Sequence, residues 1–220
     1  MDKEHKKTLW LMLAMIVVFA GLFFMVSGEM DEFLGGILPG YNLPDGALNK
    51  PREANLERDI NYKAKIITNK GDIIIDLYEL DTPYTVTNFV YLSEQGFYEG
   101  LTFHRVIQDV LIQGGDPLGD GSGGPGYIFD DEIRSTSVVK GSVAMAGATP
   151  NSNGSQFFIV TKEAQPHLDR TQTVFGEVIS GMEVVEIIAT VDVEDNGYGE
   201  ISRPVDSILI EKIEIIRDSY

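Results

Sequence analysis

Apolar positions change period several times along this chain, and each change marks an element. Between residues 63 and 79 two short β-rich runs, AKIITN and DIIIDLY, are joined at Asn69-Lys70-Gly71, the pattern of a hairpin. From Thr82 to Gly96 the spacing lengthens, and Val86, Phe89, Val90 and Leu92 recur at near-helical intervals. Thr82 is placed as the N-cap of this helix, Pro83 as its first residue and Gly96 as its stop. Strand-like runs follow at LTFHRVI, VLIQGG, SVAMAG, SQFFIVT and TVFGEVI, each bounded by Gly, Pro, Asn or Asp. GMEVVEIIATV (181–191) predicts a second helix, and ILIEKIEII alternates well enough for a final strand. Many short strands, two helices and no βαβ rhythm predict a mainly β fold, a closed or nearly closed antiparallel barrel with helices over its openings.

The N-terminus follows another pattern. Lys3, Lys6 and Lys7 precede an uncharged apolar stretch, residues 8–27, about the length a bilayer-spanning helix needs. A cleavable signal peptide is the rival reading, but its apolar region would usually be shorter and would end in a small-residue site that VSGEM lacks. A buried core helix is the third. The lysines before the span and Glu29, Asp31 and Glu32 after it predict a cytoplasmic N-terminus with the main domain outside. Residues 28–61 lack sustained periodicity and carry the turn signals LPG and LPDG. The organisation expected is therefore a basic flank over 1–7, a single-pass membrane anchor over 8–27, a flexible linker over 28–61 and one domain over 62–220.

Charge narrows the function. The 220 residues carry 17 Lys and Arg against 34 Asp and Glu, a net charge of −17, and the excess is still larger once residues 1–28 are set aside. A domain this acidic repels phosphate backbones, so no nucleic-acid partner is expected. Cysteine is absent, which removes disulfides, thiolate metal sites and cysteine nucleophiles together. The three histidines, His5, His104 and His167, have no metal-ligand spacing, so no zinc site is expected.

Three local patterns suggest other chemistry. GDGSGGP (119–125) is similar to the sequence around a trypsin-like nucleophile, but an extra glycine separates Asp120 from Ser122, and His104 lies on the adjoining strand-like run. Nor is the loop a phosphate cradle, since no GK[ST] follows and Asp116 and Asp120 would repel the anion. DVEDNGYGEISR (192–203) begins like a calcium loop yet has Arg203 where a bidentate glutamate belongs, so an acidic turn is the plainer reading. Asp130, Asp131 and Glu132 read as solvated turn residues rather than an acid/base pair.

What remains are polar residues embedded in strands: Arg105, Gln113 and Gln156, with Phe103, Phe157 and Phe158 nearby in sequence. Alternation puts Phe103, Arg105 and Ile107 on one face of their strand, and Gln156 with Phe158 on one face of another. An apolar floor edged by a few fixed donors suits an uncharged, partly apolar ligand such as a peptide. The structural alternative is a guanidinium paired with a nearby aspartate.

At these residues the sequence resembles the cyclophilins, a family of peptidyl-prolyl cis-trans isomerases. The resemblance runs from about Lys63 to Ile216 and is carried by FHRVI (103–107), IQGGD (112–116), the GDGSGG loop leading to FDDE (129–132), AMAGATPNSNGSQFFI (144–159) and HLDRTQTVFGEV (167–178). It implies a closed eight-stranded antiparallel barrel capped by two helices, and a site that accelerates rotation about X-Pro bonds without a cofactor. Carried over by position, it implies Arg105 as the catalytic donor and Gln113 as its support. It further implies a proline pocket at Leu111, Phe158 and Leu168 beside Phe103, with Gln156 and the backbone near Ala146 and Gly147 holding the peptide. Three positions depart from the common pattern: Val110 for an aromatic ring, Gly147 for an asparagine and Gln172 for a histidine. His167 stands where strongly cyclosporin-sensitive members have tryptophan, which implies weak cyclosporin binding. The expected partners are proline-containing polypeptides, exported or close to the membrane. A non-catalytic module that binds proline peptides, or a chaperone, is the alternative.

Overall fold

Ile60–Thr68 (β1) and Gly71–Leu77 (β2) form the predicted hairpin, with Thr68 opposite Gly71. The Thr68 hydroxyl locks the turn by donating to the Gly71 carbonyl at 2.7 Å and accepting from the Lys70 N–H at 3.0 Å. Every second residue faces the interior, so Ala64, Ile66, Ile73, Ile75 and Leu77 are buried. The computed structural model describes residues 48–133, 138–162 and 171–219. The apolar segment 8–27, the basic flank and most of the linker lie outside the described residues. Among those described, no helix is long and apolar enough to cross a membrane. Asn49–Tyr220 form one unit. Residues 49–59, read from sequence as the end of the linker, therefore belong to the domain: the Tyr84 hydroxyl donates to the Pro51 carbonyl, and the Glu57 N–H donates to the Tyr62 hydroxyl at 2.9 Å.

The remaining strands are β3 (Arg105–Ile107), β4 (Leu111–Gly114), β5 (Ser142–Met145), β6 (Phe157–Val160), β7 (Val174–Ser180), β8 (Val193–Asp195), β9 (Ile201–Pro204) and β10 (Ile210–Ser219). Eight of the ten make one antiparallel sheet in the order β10-β1-β2-β7-β5-β6-β4-β3, and β8 and β9 make a separate hairpin. The sheet curls without the full closure expected. Its edges, β10 and β3, meet only through the isolated bridge Thr102–Leu209 and flanking bonds such as Phe103 N–H to the Ile208 carbonyl at 2.9 Å. The ladder gives out here because β3 has three residues and the chain before it leaves the strand path, so the described residues form a half-closed barrel.

Two helices complete the unit, α1 (Pro83–Glu94) and α2 (Met182–Ala189). Phe89 of α1 meets Phe157 edge-on at 5.6 Å and lies 5.1 Å from Phe175, which fastens the helix to the inward faces of β6 and β7. Burying one such ring contributes about 1.5–3 kcal/mol. The start of α1 is satisfied from elsewhere in the chain. Glu132 accepts from the Tyr84 N–H at 3.2 Å and, with its other oxygen, from the Thr85 N–H and hydroxyl at 2.7 Å each. Asp131 likewise accepts from the Asn151 N–H and the Asn153 amide. Glu132 and Asp131 are thus structural acceptors rather than the solvated turn residues expected.

Candidate active site

A three-residue turn sets the centre of the site. Ile107 faces Leu111 across the β3–β4 hairpin, with Asp109 at φ 61° between them, a backbone that aspartate tolerates better than most residues. That turn makes Arg105 the cross-strand partner of Gln113. The register continues across the sheet, pairing Gln113 with Phe158, Phe158 with Ala144 and Ala144 with Val174. Directly paired residues present their side chains on the same face. One row running over five strands thus brings a guanidinium, an amide and an apolar floor together.

The floor is a cluster of Leu111, Ala144, Phe158, Val160 and Val174, with Val138 added from the loop and Val110 and Ala146 packed against it. Val110 arrives from the turn, directly beside Leu111. Phe103 is placed differently from expectation: it is fully buried and meets Phe157 edge-on at 6.0 Å, on the aromatic interior side. Alternation from Arg105 does not reach back to it, because the strand begins only at Arg105.

Hydrogen bonds then tie the polar groups into a chain. Arg105 Nη1–H donates to Gln113 Oε1 at 3.0 Å, Gln113 Nε2 to Gln156 Oε1 at 2.9 Å, and Gln156 Nε2 to the carbonyls of Gly121 and Gly123 at 2.9 Å each. Gln156 therefore uses both amide protons on the glycine-rich loop. That loop is folded around the Asp116 carboxylate, which accepts from the N–H groups of Leu118, Asp120 and Gly121. A Cβ at Gly123 would lie 2.0 Å from Asp116 Oδ1, so only glycine fits there. With those amides occupied by an internal carboxylate, this loop is not a phosphate cradle. Ser122 donates to Asp120 at 2.6 Å and the buried His104 makes no bond to it, so no triad exists among the described residues.

At its other end the chain reaches a residue that the sequence reading missed. Glu200 accepts from Arg105 Nε–H at 2.7 Å and from Nη2–H at 2.8 Å, a two-point ion pair across 95 positions. Hydrogen bonding to Arg105 pulls the Glu200 carboxyl down to about 2, and the same contact raises the guanidinium further above its ordinary value. The guanidinium does have an acidic partner, but a distant glutamate rather than a neighbouring aspartate. Asn-Gly inside DVEDNGYGEIS signals a hairpin turn, yet nothing in the sequence says where that hairpin lands.

The other expected site residues divide in two. Ala146 donates its N–H to the Gln156 carbonyl at 2.9 Å, and Gly147 follows at the start of the loop before β6. Gln172 is half-buried beside Thr173, whereas His167 and Leu168 lie outside the described residues.

The model of the family described as cyclophilin type peptidyl-prolyl cis-trans isomerase/CLD matches residues 63–215. The chain belongs to the cyclophilins. Similar curated proteins are a peptidyl-prolyl cis-trans isomerase A of Mycobacterium tuberculosis, 43% identical over 69% of this chain and 91% of that protein, and a putative bifunctional phosphatase/peptidyl-prolyl cis-trans isomerase of Streptococcus pyogenes serotype M6, 36% identical over 74% of this chain. The chain spans only 40% of the length of the Streptococcus protein. A Cryptosporidium parvum cyclophilin type isomerase, crystallised in the presence of the dipeptide Ala-Pro, superposes with a TM-score of 0.65 at 36% identity, covering 71% of this chain and 99% of that one. The row from Arg105 to Val174 lies wholly within the part of the chain that the cyclophilin model matches.

Proposed function

We propose that this cyclophilin accelerates cis/trans rotation of X-Pro bonds in polypeptides, with Arg105 as the catalytic donor. The observation that carries the reading is the placement of the Arg105 guanidinium, bonded to Gln113, on the same row as Phe158. Unaided rotation takes tens to hundreds of seconds because amide resonance must be broken. In the twisted transition state the prolyl nitrogen loses conjugation and becomes a better hydrogen-bond acceptor. A guanidinium already aimed there stabilises the twisted state more than either planar one, which is the condition for catalysis. Arginine suits the task because it stays charged at every relevant pH and carries several rigid donors. The proline ring needs only an apolar seat, which the Phe158–Leu111 cluster supplies. The Ala-Pro dipeptide used with the Cryptosporidium relative supports proline-containing peptides as the ligand class.

The same reading places the enzyme on a membrane, anchored through residues 8–27 with its N-terminus in the cytoplasm and its domain outside, where exported chains fold. The uncharged apolar stretch and the lysines before it support this placement. Weak cyclosporin binding belongs to the proposal as well, because histidine at 167 has no indole N–H to offer.

The test is an isomerase assay of the full chain in mild detergent on a proline-containing peptide. Arg105→Ala is expected to lower kcat/KM about a hundred- to a thousandfold, the loss of one transition-state donor, with cyclosporin inhibiting the parent only at micromolar levels or above. A parent protein without activity would sink the enzymatic reading, and nanomolar inhibition would sink the cyclosporin one.

A further inference from the structure

We propose that Glu200, delivered by the β8–β9 hairpin, is a positioning residue of the isomerase site that holds the Arg105 guanidinium in its working orientation before substrate arrives. This rests on the reading of Arg105 as the catalytic donor. The two-point contact fixes both the direction and the roll of the planar group, which Gln113 alone, with a single bond, does not.

The donor inventory separates holding from blocking. A guanidinium has five N–H bonds. Glu200 takes the Nε–H and one on Nη2, and Gln113 takes one on Nη1, which leaves one N–H on each terminal nitrogen for a substrate. The Arg105 side chain keeps 33% of its surface exposed, so its two partners do not enclose it. A freely rotating arginine would lose rotamer entropy on being ordered in the transition state, and ordering it beforehand removes that penalty from the reaction.

The hairpin is itself braced for the purpose. Val193 pairs with Pro204, Glu194 with Arg203 and Asp195 with Ile201, and β9 lies beside β3. Its turn is closed by the Asn196 N–H donating to the Glu200 carbonyl at 2.9 Å, while Asn196 Oδ1 accepts from the Tyr198 and Glu200 N–H groups at 2.9 and 3.3 Å. Asp195 Oδ1 accepts from the N–H groups of Gly197 and Gly199. Glu200 thus projects from a turn fixed on both sides, and its backbone has little freedom to wander from β3.

The experiment compares the full chain with Glu200→Gln, Glu200→Ala and, as a hairpin control away from Arg105, Glu194→Gln, which breaks only the surface pair with Arg203. Peptide isomerisation is measured for kcat and KM separately, and the Arg105 Nε–H resonance is followed by NMR. Both Glu200 variants are expected to lower kcat about tenfold, the rate equivalent of one charge-assisted hydrogen bond. KM should stay within about twofold, and the slowly exchanging Arg105 signal should be lost. Glu194→Gln should leave kcat and the signal intact. Glu200 variants with unchanged kcat would overturn the proposal, and variants with raised kcat would overturn it by making the carboxylate a brake. An inactive parent chain would instead overturn the catalytic reading of Arg105, so the two failures are distinct.

Discussion

Arg105 sits between two acceptors of different character, a neutral amide on its own hairpin and a carboxylate from a distant one. None of these groups titrates near neutrality, and burial pushes the neighbouring His104 below its ordinary range. Isomerase kcat/KM is therefore expected to be flat from about pH 6.5 to 9, and a bell-shaped profile would show that a general acid or base takes part. Acid is a separate matter. Because the Glu200 carboxyl titrates at about 2 in the folded protein, below its unfolded value, the pair's contribution to stability is complete above about pH 4.5 and fades as pH falls through 2. The meeting of Arg105 and Gln113 was expected only through the family resemblance, and the structure supplies its reason: the two lie four residues either side of Asp109, symmetric about one turn. Glu200 was not, since an ion pair across 95 positions leaves no periodic trace. Phe103 was misplaced because alternation assumes a strand that continues, and β3 does not.

At the scale of elements, the helix α1 shows where local signals end and tertiary structure takes over. Thr-Pro marks its start correctly, and Gly96, at φ 70°, marks its stop. Yet the Thr82 hydroxyl makes no cap bond to the helix; it donates back to the Tyr78 carbonyl, and the first free N–H groups are met by Glu132. Glu132→Ala leaves those amides unpaired beside the fully buried Thr85 and is expected to cost about 1–3 kcal/mol. A fall in the thermal midpoint of roughly 2–4 °C per kcal/mol would register it, and an unchanged midpoint would assign the capping to solvent. The hairpin β8–β9 is the converse case. Its sequence reads as an acidic turn, and it is one, but its two short strands carry it to β3 and so to the site.

For the whole molecule, two β-rich runs, a helix and a series of short strands were readable from period alone, because one face of each is buried and the other is not. Closure was not readable, since it depends on how the ends of a curled sheet meet, and here they meet at the isolated bridge between Thr102 and Leu209. Anchoring also belongs to this scale. The full chain, expressed in bacteria, is expected to remain in the membrane pellet through an alkaline wash and to lose its domain to protease added outside; recovery in the soluble fraction without residues 1–27 would make the segment a cleaved signal instead. The unclosed sheet has a consequence of its own. Beyond Ile210, β10 is paired with β1 along one side only, and an unpaired strand edge is a template on which a second chain can grow. Glu211, Lys212, Glu214, Arg217 and Asp218 lie exposed along it, and Arg217 is tied back to Glu94 of α1. Charged side chains spaced along an open edge disfavour the docking of a second strand, so the edge guards itself against fibril growth.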